Sequence, residues 1–166
     1  MINKQKAKML RNRKSIPRIT QVRNAGFEAD SFFPWRDVGN VFLSRIRPNI
    51  GRQHARFEVS PGRSASLTQL VFLGRPGPTN SYRLIFSANS PSTTGILQIS
   101  LLGTLVSSVA LPLIRIPATS YRDFTLTFPR TALRGRSSFE LEFRVNGGAG
   151  TQIAILNLDT VVIVPV

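Results

Sequence analysis

The sequence predicts an all-β protein, a two-sheet antiparallel jelly-roll sandwich preceded by a basic extended N-terminal arm. Three observations carry that prediction. Short runs in which apolar and polar residues alternate recur from residue 41 to the end, and a period of two puts one face of a strand in a core and the other in solvent. Breaks rich in Gly, Pro, Asn and Ser separate these runs, marking turns. No segment after residue 20 sustains a helical pattern for two turns. Strands at this spacing without intervening helices indicate a sandwich.

The arm comes first. Lys4, Lys6, Lys8, Arg11, Arg13, Lys14, Arg18 and Arg23 give residues 1–23 eight positive charges, and the first acid is Glu28. Pro17 stops any helix begun in residues 4–14, and Arg18-Ile19-Thr20-Gln21-Val22 alternates as a short strand does. With few apolar groups to offset its ordering entropy, the arm is expected to be flexible until bound. The expected organisation is therefore an arm over residues 1–23 and one β-sandwich domain over residues 24–166.

Within the domain, strands are expected at Val41–Ile46, Ala55–Val59, Ser66–Phe72 and Tyr82–Ala88. Ile96–Leu102 and Leu105–Leu111, flanking Gly103-Thr104, read as a hairpin. Phe124, Leu126 and Phe128 alternate with threonines. Phe139, Leu141, Phe143 and Val145 alternate with Glu140, Glu142 and Arg144, the cleanest period-two signal in the chain. Residues 152–156 and 160–164 close the series. The in-facing phenylalanines read as core.

Charge narrows the partners. The net charge of +14 divides into +8 for residues 1–23 and +6 for the remainder, where 14 arginines face 8 acids. Such an excess favours polyanions, so Lys4, Lys6, Lys8, Arg11, Arg13 and Lys14 are candidate contacts for nucleic acid or an anionic glycan. The chain has no cysteine, which removes disulfides, thiolate metal sites and cysteine nucleophiles. Its one histidine, His54, sits in the polar stretch Arg52-Gln53-His54-Ala55-Arg56 and is expected on a surface loop. No nucleophile motif accompanies it, and no apolar run reaches membrane-span length. The basic start lacks the apolar stretch of a secretory signal, so synthesis in the cytoplasm without a signal peptide is expected.

The order of motifs resembles that of galactose-binding-like, carbohydrate-binding-module-like sandwiches. Asn24-Ala25-Gly26-Phe27-Glu28 followed by Pro34-Trp35 is similar to that family's opening motif. Gly51-Arg52-Gln53-His54-Ala55 with Leu67-Thr68-Gln69 is similar to its middle strands. Tyr82–Ala88 and Leu156–Val161 look like its "Y-x-L-x-F-x-A" and closing "L-D-x-V" strands. Within that superfamily, the chain looks most like the N-terminal globular domains of collagen-like spore-surface proteins of Bacillus-type bacteria. It departs from them in its basic arm and in stopping at Val166 without collagen-like repeats. The resemblance implies a structural calcium ion at Glu28 and Asp159, although Thr160 stands where the family often has a second acid. The alternative is that both acids pair with arginines. It also makes Trp35, Tyr82 and Tyr121 the candidates for stacking on sugars, against the plainer reading of all three as packing residues.

Taken together, these features point to a non-catalytic, self-assembling structural protein of a spore surface or similar extracellular layer. Its main partner would be itself, with Arg18–Val22 adding a strand to a neighbour's sheet edge. Two alternatives remain: a viral-coat-like protein whose arm binds nucleic acid, and a carbohydrate-binding module. Glu140 and Glu142 share one face of a strand and read as a solvent-facing row on an edge or outer strand, not as a catalytic pair.

Overall fold

The computed structural model describes residues 22–73 and 81–166. Ten strands succeed one another: β1 (Arg36–Val38), β2 (Val41–Ser44), β3 (His54–Val59), β4 (Ser64–Phe72), β5 (Ser81–Asn89), β6 (Ile96–Leu102), β7 (Val109–Pro112), β8 (Arg122–Pro129), β9 (Ser138–Asn146) and β10 (Ala154–Pro165). Among the described residues, helix is confined to one-turn 3-10 segments at Leu113–Arg115 and Arg130–Leu133. The strands form two five-stranded sheets, ordered β1-β4-β9-β6-β7 and β2-β3-β10-β5-β8, with every pairing antiparallel. This is the sandwich the alternation predicts.

The pleat explains the core. β9 turns Phe139, Leu141, Phe143 and Val145 inward, and β4 turns Ala65, Leu67 and Val71 inward against the facing sheet. Phe57, Leu84, Phe86, Leu156, Leu158 and Ile163 meet them from the second sheet. A row of rings crosses the interior: Phe27 lies 5.7 Å from Trp35, Trp35 6.2 Å from Phe143, Phe143 5.2 Å from Phe86, and Phe86 5.4 Å from Phe124. These tilted, edge-on and, between Phe86 and Phe124, stacked geometries add to the area that rings remove from water.

One strand changes parity midway. In β10 the inward residues are Ala154, Leu156 and Leu158, then Val161 and Ile163. The register against β5 shifts between Asp159 and Val162, and Thr160 adopts φ 49°. A bulge inserts one residue and so moves the inward set from even to odd positions. The bulge lets Val161 donate its N–H to Ala25 O, joining the opening loop to the last strand.

Two local expectations differ from what is observed. The Ile96–Leu111 segment is not a tight hairpin, because β7 begins only at Val109, paired with Ile99. Leu105 N–H is drawn away to Ala132 O, and Thr104 Oγ1 bonds both Leu101 O and Val106 N–H. Glu140 and Glu142 lie on β9, which is the central strand of its sheet, not an edge or outer strand. Phe143 holds the ring row together from that strand. Phe143→Ala is expected to lower unfolding stability by about 3–5 kcal/mol in urea titration, whereas Thr125→Ala on the exposed face of β8 should stay within about 0.5 kcal/mol.

Candidate functional site

The outer face of the first sheet is built by register. One row across four strands reads Arg36, Thr68, Glu142, Ser100; the next reads Val38, Ser66, Arg144, Gln98, Ala110. On the other side of the first row lie Leu70, Glu140 and Leu102. These are the residues left over when the opposite parity is consumed by the core. Arg36 Nη2 meets Glu140 Oε1 at 2.7 Å, and Arg144 Nη2 meets Glu142 Oε1 at 2.8 Å. The exposed Arg36–Glu140 pair adds little stability, whereas Glu142 is nearly buried at 8% exposure, beside buried Ser66 and Ser100, and so does not face solvent as expected. Small hydroxyls of Ser66, Thr68 and Ser100 lie between the two pairs, and Leu70, Leu102 and Phe72 form an exposed apolar border, Phe72 at 63% exposure. The face offers fixed donors, fixed acceptors and apolar contact surface in one plane.

The opening loop makes a second polar centre. Glu28 accepts the backbone N–H groups of Arg52 and Gln53, and Asp159 accepts those of Asn49, Ile50 and Thr160. The loop runs so close that a Cβ on Gly51, which also has φ +77°, would collide with the Glu28 carboxylate. Gln53 Nε2 donates to Phe27 O at 2.7 Å and Ala29 O at 2.5 Å. Calcium needs several free oxygens. Here all four carboxylate oxygens accept an N–H, and the Gln53 amide occupies two neighbouring carbonyls. Among the described residues, no group of three or more His, Cys, Asp or Glu could hold a metal ion. The calcium expectation at Glu28 and Asp159 therefore does not fit this arrangement, which is a carboxylate-capped loop; Arg52 reaches Glu28 only loosely, Nε to Oε2 at 3.8 Å.

A third cluster lies covered on the outer face of the second sheet, since His54, Asn157 and Asn89 have the parity opposite to inward Ala55, Leu156, Leu158 and Ala88. His54 is the first residue of β3 and fully buried, which corrects its expected place on a surface loop. Of its polar sequence neighbours, Gln53 is buried, Arg56 is partly buried and Arg52 stays exposed. Asn157 Nδ2 donates to Asn89 Oδ1 at 2.7 Å, so Asn157 Oδ1 is the acceptor of the His54 Nε2 proton at 3.1 Å. That assignment leaves Nδ1 an acceptor, and it has no partner among the described residues; the nearby Tyr121 hydroxyl has none among them either. Their rings meet edge-on with centroids 6.1 Å apart. Burial pushes the His54 imidazole below its usual range, opposed by the Asn157 bond and reinforced by Arg56. Burial first, and then Asp159, push the Tyr121 phenol above its ordinary value. Burial also raises the Asp159 carboxyl, against the bonds from Ile50, Thr160 and Asn49.

The remaining sequence candidates are placed as follows. Trp35 and Tyr82 are 3% and 4% exposed and show no ring face to solvent. Trp35 Nε1 donates to the carbonyls of Arg23 and Asn24, and Tyr82 stacks on Phe128. Val22 packs against the core of its own sandwich. Arg18, Ile19, Thr20 and Gln21, and the cations Lys4, Lys6, Lys8, Arg11, Arg13 and Lys14, lie outside the described residues. The sequence reading passed over the exposed rings Phe33, Phe42 and Phe72. For Phe72 the signal was present: inward Ala65, Leu67 and Val71 fix the parity that turns residue 72 outward.

Comparison with solved structures follows this geometry. The chain is similar to TmCBM61 in complex with β-1,4-galactotriose, at 21% identity and TM-score 0.64 over 89% of this chain and 99% of that one. It is similar to the enzymatically active domain of bacteriophage CBA120 tailspike protein 4, at 19% identity and TM-score 0.65, but spans only 22% of that chain. A CBM4 structure matches at 13% identity and TM-score 0.56 over 88% of this chain and all of that one. No protein-family model matches the chain, and no curated protein sequence does. The likeness establishes a carbohydrate-binding-module-like β-sandwich fold.

Two predictions arise from the two buried centres. With its carboxylates capped by amides, the protein should melt at the same temperature with EDTA as with millimolar calcium. A calcium-dependent rise of several degrees would show that the loop opens to a cation. His54 is the chain's single histidine. Below about pH 6.5 an unfolded imidazole takes up a proton that the buried one resists. Stability should therefore fall as pH drops from about 7 to 5, and the fall should be shallower in His54→Gln; equal slopes would remove His54 from the account.

Proposed function

We propose that this chain is a non-catalytic module that binds a neutral oligosaccharide across the outer face of the β1-β4-β9-β6-β7 sheet. The observation that carries the reading is the registered band of Arg36, Glu140, Glu142 and Arg144 with hydroxyls between them. A guanidinium or carboxylate held in place can bond two neighbouring sugar hydroxyls at once, and the apolar border can take the C–H face of a sugar ring. Two arginines balance two glutamates, so the face favours an uncharged chain. Glu140 and Glu142 project from one face of one strand, whereas glycoside hydrolysis places its carboxylates on opposite sides of the bond. Structural neighbours such as TmCBM61 with β-1,4-galactotriose support the reading through fold alone.

A second reading is assembly of many copies into a layer, at a spore surface or comparable extracellular site, through the N-terminal residues. Eight cations in residues 1–23 favour it, as does the resemblance to spore-surface globular domains. The same cations would equally serve a nucleic-acid partner, and nuclease treatment separates the two.

A glycan array with the full chain, followed by calorimetry on the best hit, tests the first reading. Arg144→Ala and Glu142→Gln should each weaken binding by about tenfold, the effect of one charged hydrogen bond, with unfolding temperatures checked in parallel. An array with no neutral hit, or variants that bind as the parent does, would remove the sheet face as the site.

A further inference from the structure

Sheet edges are normally short, covered or blunted by charge. Here β1, β2 and β7, with three or four residues each, obey that rule. β8 does not. It has eight residues, pairs only with β5, and receives no other backbone hydrogen bond among the described residues. Its inward residues Phe124 and Leu126 remain partly exposed, although Phe128 on the same face is fully buried. Phe124 is stacked on Phe86 on one side and capped by the Arg122 guanidinium, 5.6 Å above its ring. The core is therefore unfinished along this edge, and one further strand would complete it.

The chain's N-terminal segment leaves from the opposite side. Val22 packs on its own core, and Gln69 on β4, next to edge strand β1, bonds both the N–H and the carbonyl of Arg23. Residues 18–21 are joined directly to that pinned point. Four extended residues reach about 14 Å, whereas β4 faces β2 and β3 and β8 stands three to four strands further along that facing sheet, about 14–19 Å sideways across a gap of about 10 Å. They cannot lie along the β8 of their own sandwich. We propose that residues Arg18–Gln21 of one copy add as a strand to β8 of a second copy, Ile19 closing over Phe124 and Leu126 and Arg18 lying toward Asp123. This rests on the assembly reading above and names its surface. Donor and acceptor sit on opposite sides of each copy, so the contact is head-to-tail and propagates as an open filament.

The test uses nuclease-treated full chains in high salt, sized by light scattering. An edge variant, Thr125→Lys with Thr127→Lys, places charge on exposed positions of β8; an arm variant, Ile19→Pro with Thr20→Pro, removes ladder donors. Wild type should form multimers of graded mass, each variant alone should be monomeric with an unchanged melting temperature, and a one-to-one mixture should stop at the dimer. Hydrogen exchange should show β8 amides protected in the wild-type multimer and open in both variants. A multimer that survives the edge variant, or a mixture that stays monomeric, overturns the β8 contact while leaving assembly standing. Wild type that is monomeric at every concentration overturns both.

Discussion

Where the chain leaves β2 and enters β3, the backbone amides of residues 49, 50, 52 and 53 point inward to no strand, and Glu28 and Asp159 supply their partners from opposite ends of the sequence. Asn49, Ile50 and Arg52 are exposed residues, but charged acceptors make stronger hydrogen bonds than neutral ones, so the two carboxylates pin this loop. The arrangement fixes three things at once. It seats the opening loop, sets the entry angle of β3, and places the β10 bulge beside Ala25. The ring row from Phe27 to Phe124 can then assemble, because Phe27 and Trp35 are delivered to one end of the core by that loop.

From this corner the outer face of the first sheet follows by geometry. Trp35 is followed at once by β1, which pairs with β4 from Arg36 to Val38. Seating Trp35 in the core therefore sets the position of Arg36 on the opposite face, within reach of Glu140. The charged band is a by-product of core register, and a one-residue slip in β4 or β9 would turn it inward. Structure and candidate function share one constraint, so lesions in the opening loop should disturb the sheet face without touching it.

Much of this was legible in the residues. The alternation in β9 gave its inward set correctly, and parity alone placed Glu140 and Glu142 on the outer face. Their central position was not legible, because strand order is set by long-range pairing that leaves no local trace. His54 was misread because a polar neighbourhood in sequence was equated with solvent. In the fold, Asn157, Asn89 and Tyr121 arrive from three distant segments to enclose it. The gap before β7 was hidden for the same reason: Leu105 is held by Ala132, and nothing in residues 103–111 announces that bond. Trp35, Tyr82 and Tyr121 show the limit of reading aromatics by type, since the exposed ring on the candidate face is Phe72.

The distribution of charge separates two tasks that one surface could not combine. A sugar-binding face works best when its charges are paired and fixed, because unpaired guanidinium groups would recruit any anion. On the first sheet, Arg36 and Arg144 are each matched by a glutamate. Residues 1–23 hold the densest run of positive charge, four lysines and four arginines with no acid among them. A segment of that charge repels its own copies at low salt, so strand addition at β8 must draw on backbone hydrogen bonds and the burial of Ile19, Phe124 and Leu126, both little affected by salt. Added salt screens the repulsion and strengthens that contact, whereas it weakens attraction to a polyanion. The two uses of the same residues respond to ionic strength with opposite sign, which makes salt the variable that distinguishes them.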